Sequence, residues 1–315
     1  MRTNFLNGRS ALFVLIALAA SAAPAAANIL IVPTFDTSIT SDPNALAIEA
    51  GINAAISLVE ASLGDPITVP ITFQEGGGLG SSSTPIFQVS YGTYRTALIA
   101  DAKTPADATA LAQLPAQSTS PVDGNTNLWV TAANLDALGL AHGLVGSDGT
   151  ITLNTAITNF DRTTINPGKY DLEGVALHEI DEVLGLGSGL NLPTGFPRLS
   201  RPQDLFRYSA PGVRSFDTSS GATSYFSING GVTDLVDFNQ NGAADYGDWL
   251  SSGSAKVQDA FGTPGAIPTY GVELLNLDVI GFDTLPPANA PEPGTWLLLG
   301  TGLALVALKA RPAAR

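Results

Sequence analysis

Leu172-Glu173-Gly174-Val175-Ala176-Leu177-His178-Glu179-Ile180-Asp181-Glu182-Val183-Leu184-Gly185-Leu186 is the most strongly helical stretch of the chain. Leu172, Val175, Ala176, Ile180, Val183 and Leu184 recur at helical spacing and predict a wide buried arc. Asp171 to Leu184 is therefore expected to be helical. His178 and Glu182, at i and i+4, stand about 40° apart on one face, where two metal-ligating side chains can share one ion. Glu179 lies about 100° round from His178 and falls inside the apolar arc. A carboxylate there is costly unless it faces a polar cleft or a charge partner, so a chemical role is favoured over a solvated one.

The elements around this helix are those of a mixed α/β (α+β) domain. Ile29–Phe35 is β-branched and reads as a strand, and Ala45–Leu63 repeats Ile48, Ile52, Ala55, Ile56 and Val59 at helical spacing. Ile67–Phe73 and Thr150–Asn154 alternate as strands. Gly76–Ser83 reads as a Gly/Ser loop. Tyr91–Ala102 and Pro105–Leu114 read as helices, the second with Thr104 as its cap. From Gly185 onward glycine, proline and serine are frequent and long regular elements are few. No repeat or linker divides residues 28–290, which read as one domain with a looser C-terminal half.

Composition narrows the chemistry. The 315 residues contain no cysteine, so disulfides, thiolate metal sites and thiol nucleophiles are excluded. Histidine occurs twice, as His142 and His178, so a three-histidine metal site is excluded as well. His142, beside a turn, reads as structural. The net charge is −14, a poor match for phosphate backbones, and no nucleic-acid partner is expected. No Gly-rich phosphate loop and no Ser/His/Asp arrangement stands out.

The two ends read as addresses. Residues 1–27 have a basic start (Arg2, Arg9), an apolar run and Ala25-Ala26-Ala27, the pattern of a secretory signal peptide. Residues 291–315 begin with Pro291-Glu292-Pro293-Gly294, continue with an apolar run from Thr295 to Leu308, and end in Lys309, Arg311 and Arg315. This tail resembles the PEP-CTERM sorting signal. The resemblance implies a bacterium with an outer membrane, transient inner-membrane contact through a short transmembrane helix, and removal of the tail by an exosortase. It further implies export through the periplasm to the cell surface or beyond, among biofilm material. Loss of both ends would remove five basic residues and Glu292, taking the net charge from −14 to −18.

The helix itself resembles the active-site helix of matrixin-like metzincin proteases. Leu172, Val175-Ala176, His178-Glu179 and Leu184-Gly185-Leu186 fall on L-x-x-V-A-x-H-E-x-x-H-x-L-G-L. With Glu182 in place of the second histidine, the chain is similar to PEP-CTERM-sorted metalloproteases of the HExxE type. The resemblance implies a zincin fold with a twisted sheet, the active-site helix and an irregular C-terminal subdomain. It implies zinc as cofactor, His178 and Glu182 as ligands, Glu179 as general base, and a protein or peptide substrate. Ser188 stands where the third histidine belongs, and Met1 is the only methionine, so the family's Met-turn is absent.

A carboxylate is an acceptable zinc ligand. Asp204 is the expected third one, and Tyr208 the expected oxyanion stabiliser. Asp237, Asn239, Asn241, Gly242, Asp245 and Asp248 fall where a calcium loop has its ligands and turn glycine, so calcium is a second expected cofactor. Two other readings stay open: a non-catalytic extracellular matrix protein with a degenerate protease fold, and a metal-independent hydrolase with Glu179 and Glu182 as paired carboxylates.

Overall fold

The computed structural model describes residues 28–286 except Thr194 and Ser220. The expected signal segment 1–27 and the sorting segment 291–315, with Pro291, Glu292 and Pro293, lie outside the described residues.

The chain opens with β1 (Leu30–Phe35), a single helical turn α1 (Thr37–Thr40) and the long helix α2 (Ala45–Ser62). It continues through β2 (Thr68–Glu75), β3 (Gly80–Ser83) and β4 (Ile86–Ser90). Helices α3 (Tyr91–Asp101) and α4 (Pro105–Leu111) follow, then β5 (Asn127–Thr131), α5 (Ala132–Ala137) and β6 (Gly149–Leu153). A short parallel pair, β7 (Thr158–Asn159) and β8 (Tyr170–Asp171), leads into α6 (Leu172–Leu184). Beyond it come the short strands β9 (Arg207–Ala210), β10 (Val213–Arg214), β11 (Tyr225–Phe226) and β12 (Val236–Asp237), and the helix α7 (Val272–Val279).

The main sheet has the order β1-β2-β6-β3. The first three strands are parallel and β3 runs antiparallel at the edge, with Ser81 opposite Thr152 and Ser82 opposite Ile151. One face is apolar: Ile31, Val69, Ile71, Phe73, Ile151 and Leu153 are all buried. Against it lie the stripe Ile48, Ile52, Ala55, Ile56 and Val59 of α2 and the inner face of α6. The opposite face carries Thr34, Thr72 and Thr150 in one cross-strand row, where β-branched polar residues suit a solvated pleat. Among the described residues, α2 is long and apolar enough to cross a membrane by composition, at 18 residues and mean hydropathy 1.3. Its apolar stripe is packed into the core.

The mixed α/β class follows from this order, and the predicted strands and helices of the first half coincide with β1, α2, β2, α3, α4, β6 and α6. Thr104 caps α4 in a reciprocal capping box with Asp107. The segment Gly76–Ser83 is a correction. Its second half is strand β3, because β6 would otherwise leave an open row of backbone donors and acceptors.

Helix α6 is tied down at both ends. Asp171 accepts from Gly174 N–H at its start and is held there by a bidentate Arg162, which also bonds Glu173. At the other end the Leu184 carbonyl accepts from Thr131 Oγ1.

Candidate metal centre

Helix α6 turns three side chains into a cleft of about 320 Å³, with β3 as one wall and the segments around Asp248 and Val257 as the other. His178 Nε2 lies 3.8 Å from Glu182 Oε1 and 3.6 Å from Asp248 Oδ1. One ligand atom from each of the three residues falls within 4.8 Å of the others. A tetrahedral ion with ligand bonds of about 2.1 Å needs neighbouring ligands about 3.4 Å apart, so the group is close to the spacing a zinc-sized cation takes up.

The surroundings of the three residues fit the same reading. His178 Nδ1 is 2.9 Å from the Val257 carbonyl, so Nδ1–H donates there and Nε2 is the nitrogen that faces the carboxylates, where a metal ion would take the place of its proton. Glu182 Oε2 accepts from Ser82 Oγ at 2.6 Å, and Asp248 Oδ1 accepts from Gln258 Nε2 at 3.1 Å. Burial opposes charge on His178, yet the carboxylates of Asp248, Glu179 and Glu182 overcome it and hold its pKa far above the ordinary imidazole value. Burial raises Asp248 in turn. Such a concentration of buried carboxylates round one imidazole is a strong field for a divalent cation.

Glu179 is 4% exposed, and its Oε2 has no hydrogen-bond partner. Desolvation, then the neighbouring Glu182, push its pKa well up. It lines the cleft beneath β3. A Cβ on Gly80 would collide with Glu179 Oε1 and come within 2.8 Å of Val175 Cγ1, so a larger residue there would have to move the strand or these side chains.

Asp248 reaches His178 because the chain before it is clamped. Arg207, buried and stacked over the Phe238 ring at 4.2 Å, donates to the carbonyls of Tyr246 and Asn239. Gln203 Nε2 donates to the Gly247 carbonyl, and Asn191 bonds both Tyr246 N–H and Asp245 Oδ1. Gly247 packs so tightly on the turn after α6 that a Cβ would lie 2.5 Å from Gly187 Cα.

Three expectations are corrected. Asp204 does not join His178 and Glu182. Its oxygens accept from Ser188 Oγ, Gly189 N–H and Arg201 N–H, so this carboxylate pins the loop after α6. Ser188, at the position of the missing third histidine, spends its hydroxyl on the same bond. Tyr208 does not line the cleft; it is buried in β9, its ring under Arg214 at 5.0 Å and against Gly231. The calcium loop is not built as one. Asn239 Nδ2 donates to the carbonyls of Asn241 and Asp245, filling the loop centre with a donor, while Asn241 Oδ1 closes a turn on Ala243 N–H. Asp237 is exposed on β12, and Asp245 and Asp248 face the His178 cleft. Burial and the nearby Glu182 raise Asp245 to about 6.

Asp248 belongs in the sequence to a calcium-loop pattern, and in the fold it stands beside His178, a neighbour that nothing local predicts because the two are 70 residues apart. Ser82, Val257 and Gln258 left no signal. His142 bonds Asp136 and Leu144 N–H beside the Phe87 ring, a structural arrangement. Comparison of the chain with protein-family models, with curated proteins and with solved structures finds no match.

Proposed function

We propose that the domain is a zinc-dependent peptidase of metzincin-like type, exported by its signal segment and sorted at the cell surface through its PEP-CTERM tail. Signal peptidase and an exosortase would be its processing partners, and a protein or peptide its substrate. The observation that carries the reading is the convergence of His178 Nε2, Glu182 Oε1 and Asp248 Oδ1 beside a buried, unpartnered Glu179 carboxylate.

His178, Glu182 and Asp248 would hold the ion, and a bound zinc supplies Lewis acidity for water and for a carbonyl. Glu179, in the cleft beside His178 and Glu182, has the position of a general base that would take a proton from water and pass it to the leaving amine. Strand β3 ends the sheet, so its outer edge is available for an extended peptide laid along the cleft by main-chain hydrogen bonds. The His178–Val257, Glu182–Ser82 and Asp248–Gln258 bonds fix the ligand side chains before any ion arrives.

The test is metal content and hydrolysis together. The purified protein should carry one zinc per chain and cleave an unstructured protein substrate, with loss of both on chelation. Absence of stoichiometric zinc would leave the non-catalytic matrix protein as the better reading. Hydrolysis that survives chelation would favour paired carboxylates.

A further inference from the structure

We infer that Ser82 of the edge strand is a positioning residue for the metal centre, holding Glu182 so that a single oxygen faces the ion. The inference rests on the metal-centre reading above. Strand β3 alternates: Ser81 and Ser83 are exposed, while Ser82 points inward to the cleft. Its hydroxyl donates to Glu182 Oε2 at 2.6 Å, a charge-assisted bond between groups 100 residues apart. The other oxygen, Oε1, is the one that faces His178 Nε2.

A carboxylate at this place on the helix needs such a device more than an imidazole does. An imidazole offers one lone pair along the ring axis. A glutamate offers two equivalent oxygens on a side chain with three rotatable bonds, and can bind through either, through both, or swing away. Glu182 also has the Asp245 carboxylate for a neighbour, which repels it when both are charged. Capping Oε2 with the Ser82 hydroxyl removes the bidentate option, selects a rotamer and offsets part of that repulsion. The bond also couples the ion to the strand on which an extended substrate would lie, so that ordering β3 orders the ligand. With it, each of the three ligands has one orienting partner: Val257 for His178, Ser82 for Glu182 and Gln258 for Asp248.

The test is titration of the metal-free full chain with zinc chloride against a chromophoric chelator, beside absorption spectra of the cobalt-loaded protein. Ser82→Ala should weaken zinc by about 10-fold or more, in the range of orienting partners of metal ligands, and alter the cobalt spectrum. Ser82→Thr, which keeps the hydroxyl and suits a strand, should return both to the wild-type values. Ser83→Ala, on the solvent side of the same strand, should match wild type. The inference is overturned if Ser82→Ala binds zinc as wild type does, or if Ser82→Thr is as weak as Ser82→Ala. If the wild-type chain takes up no zinc, the metal-centre reading falls and this inference with it, an outcome separate from the other two.

Discussion

Glu179 is the residue on which the proposed chemistry and the stability of this fold pull in opposite directions. It is buried, unpartnered and surrounded by other carboxylates, so the folded chain gains nothing from its charge. Glu179→Gln should lower peptide hydrolysis by about 10²–10⁴-fold, the usual span for loss of a general base, while zinc content stays at one per chain. The same variant, freed of metal, should melt at a higher temperature than wild type at neutral pH, because the wild type must take up a proton to bury this carboxyl and an amide need not. Digestion of an unfolded protein, elemental analysis and calorimetry read the three quantities. Asp204 and Asp248 form a second contrast. Asp248→Asn should abolish stoichiometric zinc. Asp204→Asn should keep the zinc but cost about 1–3 kcal/mol in urea unfolding, since two buried donors and a part-buried one depend on its two oxygens. Loss of zinc from the Asp204 variant alone would make Asp204 the ligand and Asp248 a bystander.

At the scale of elements, the site is the meeting of one helix, one edge strand and one clamped loop. Helix α6 is secured by Asp171, which caps it and receives Arg162. Asp171→Ala should destabilise the fold by about 1–2 kcal/mol, as measured by denaturant midpoint, because a cap is lost and a half-buried arginine is left short of a partner. The close approach of β3 gives a sharper test. Gly80→Ala puts a methyl group into Glu179 and Val175, so either the strand lifts or the carboxylate turns away. Hydrolysis should fall by at least about tenfold, more than any loss of stability explains. A Gly80→Ala variant that hydrolyses peptides as wild type does would mean that β3 does not set the position of Glu179.

Among the described residues of the whole molecule, several aspartates are buried or half-buried. Burial pushes Asp65 up to about 7, and Asp101 and Asp148 up to about 6. Each therefore holds its proton more tightly folded than unfolded. The stability they lend is complete below about pH 4 and is lost as pH rises through 6 and 7. The melting temperature should be higher at pH 5 than at pH 8 by several degrees, since about 1 kcal/mol moves it roughly 2–4 °C at this size. Asp65→Asn retains an acceptor for the Asp283 N–H and should flatten the part of the curve near pH 7. A melting temperature that rises between pH 5 and pH 8 would contradict this.

What the sequence by itself determined was periodic or local. The 3.6-residue stripes of α2 and α6, the alternation of β2 and β6, the Thr104 cap, and the placing of His178, Glu179 and Glu182 on one helix all rest on spacing within a few residues. Gly80–Ser83 is a strand because β6 offers an edge, and serine and glycine carry no strand signal of their own. Asp248 stands beside His178 and Glu182 because Arg207, Gln203 and Asn191 clamp a loop against the turn after α6. Asp204 and Tyr208 looked equally suited to the chemistry, and only the partners available to them after folding made one a loop anchor and the other a core residue. A ligand's type can be read along the chain, but its company is set by contacts between residues far apart in it.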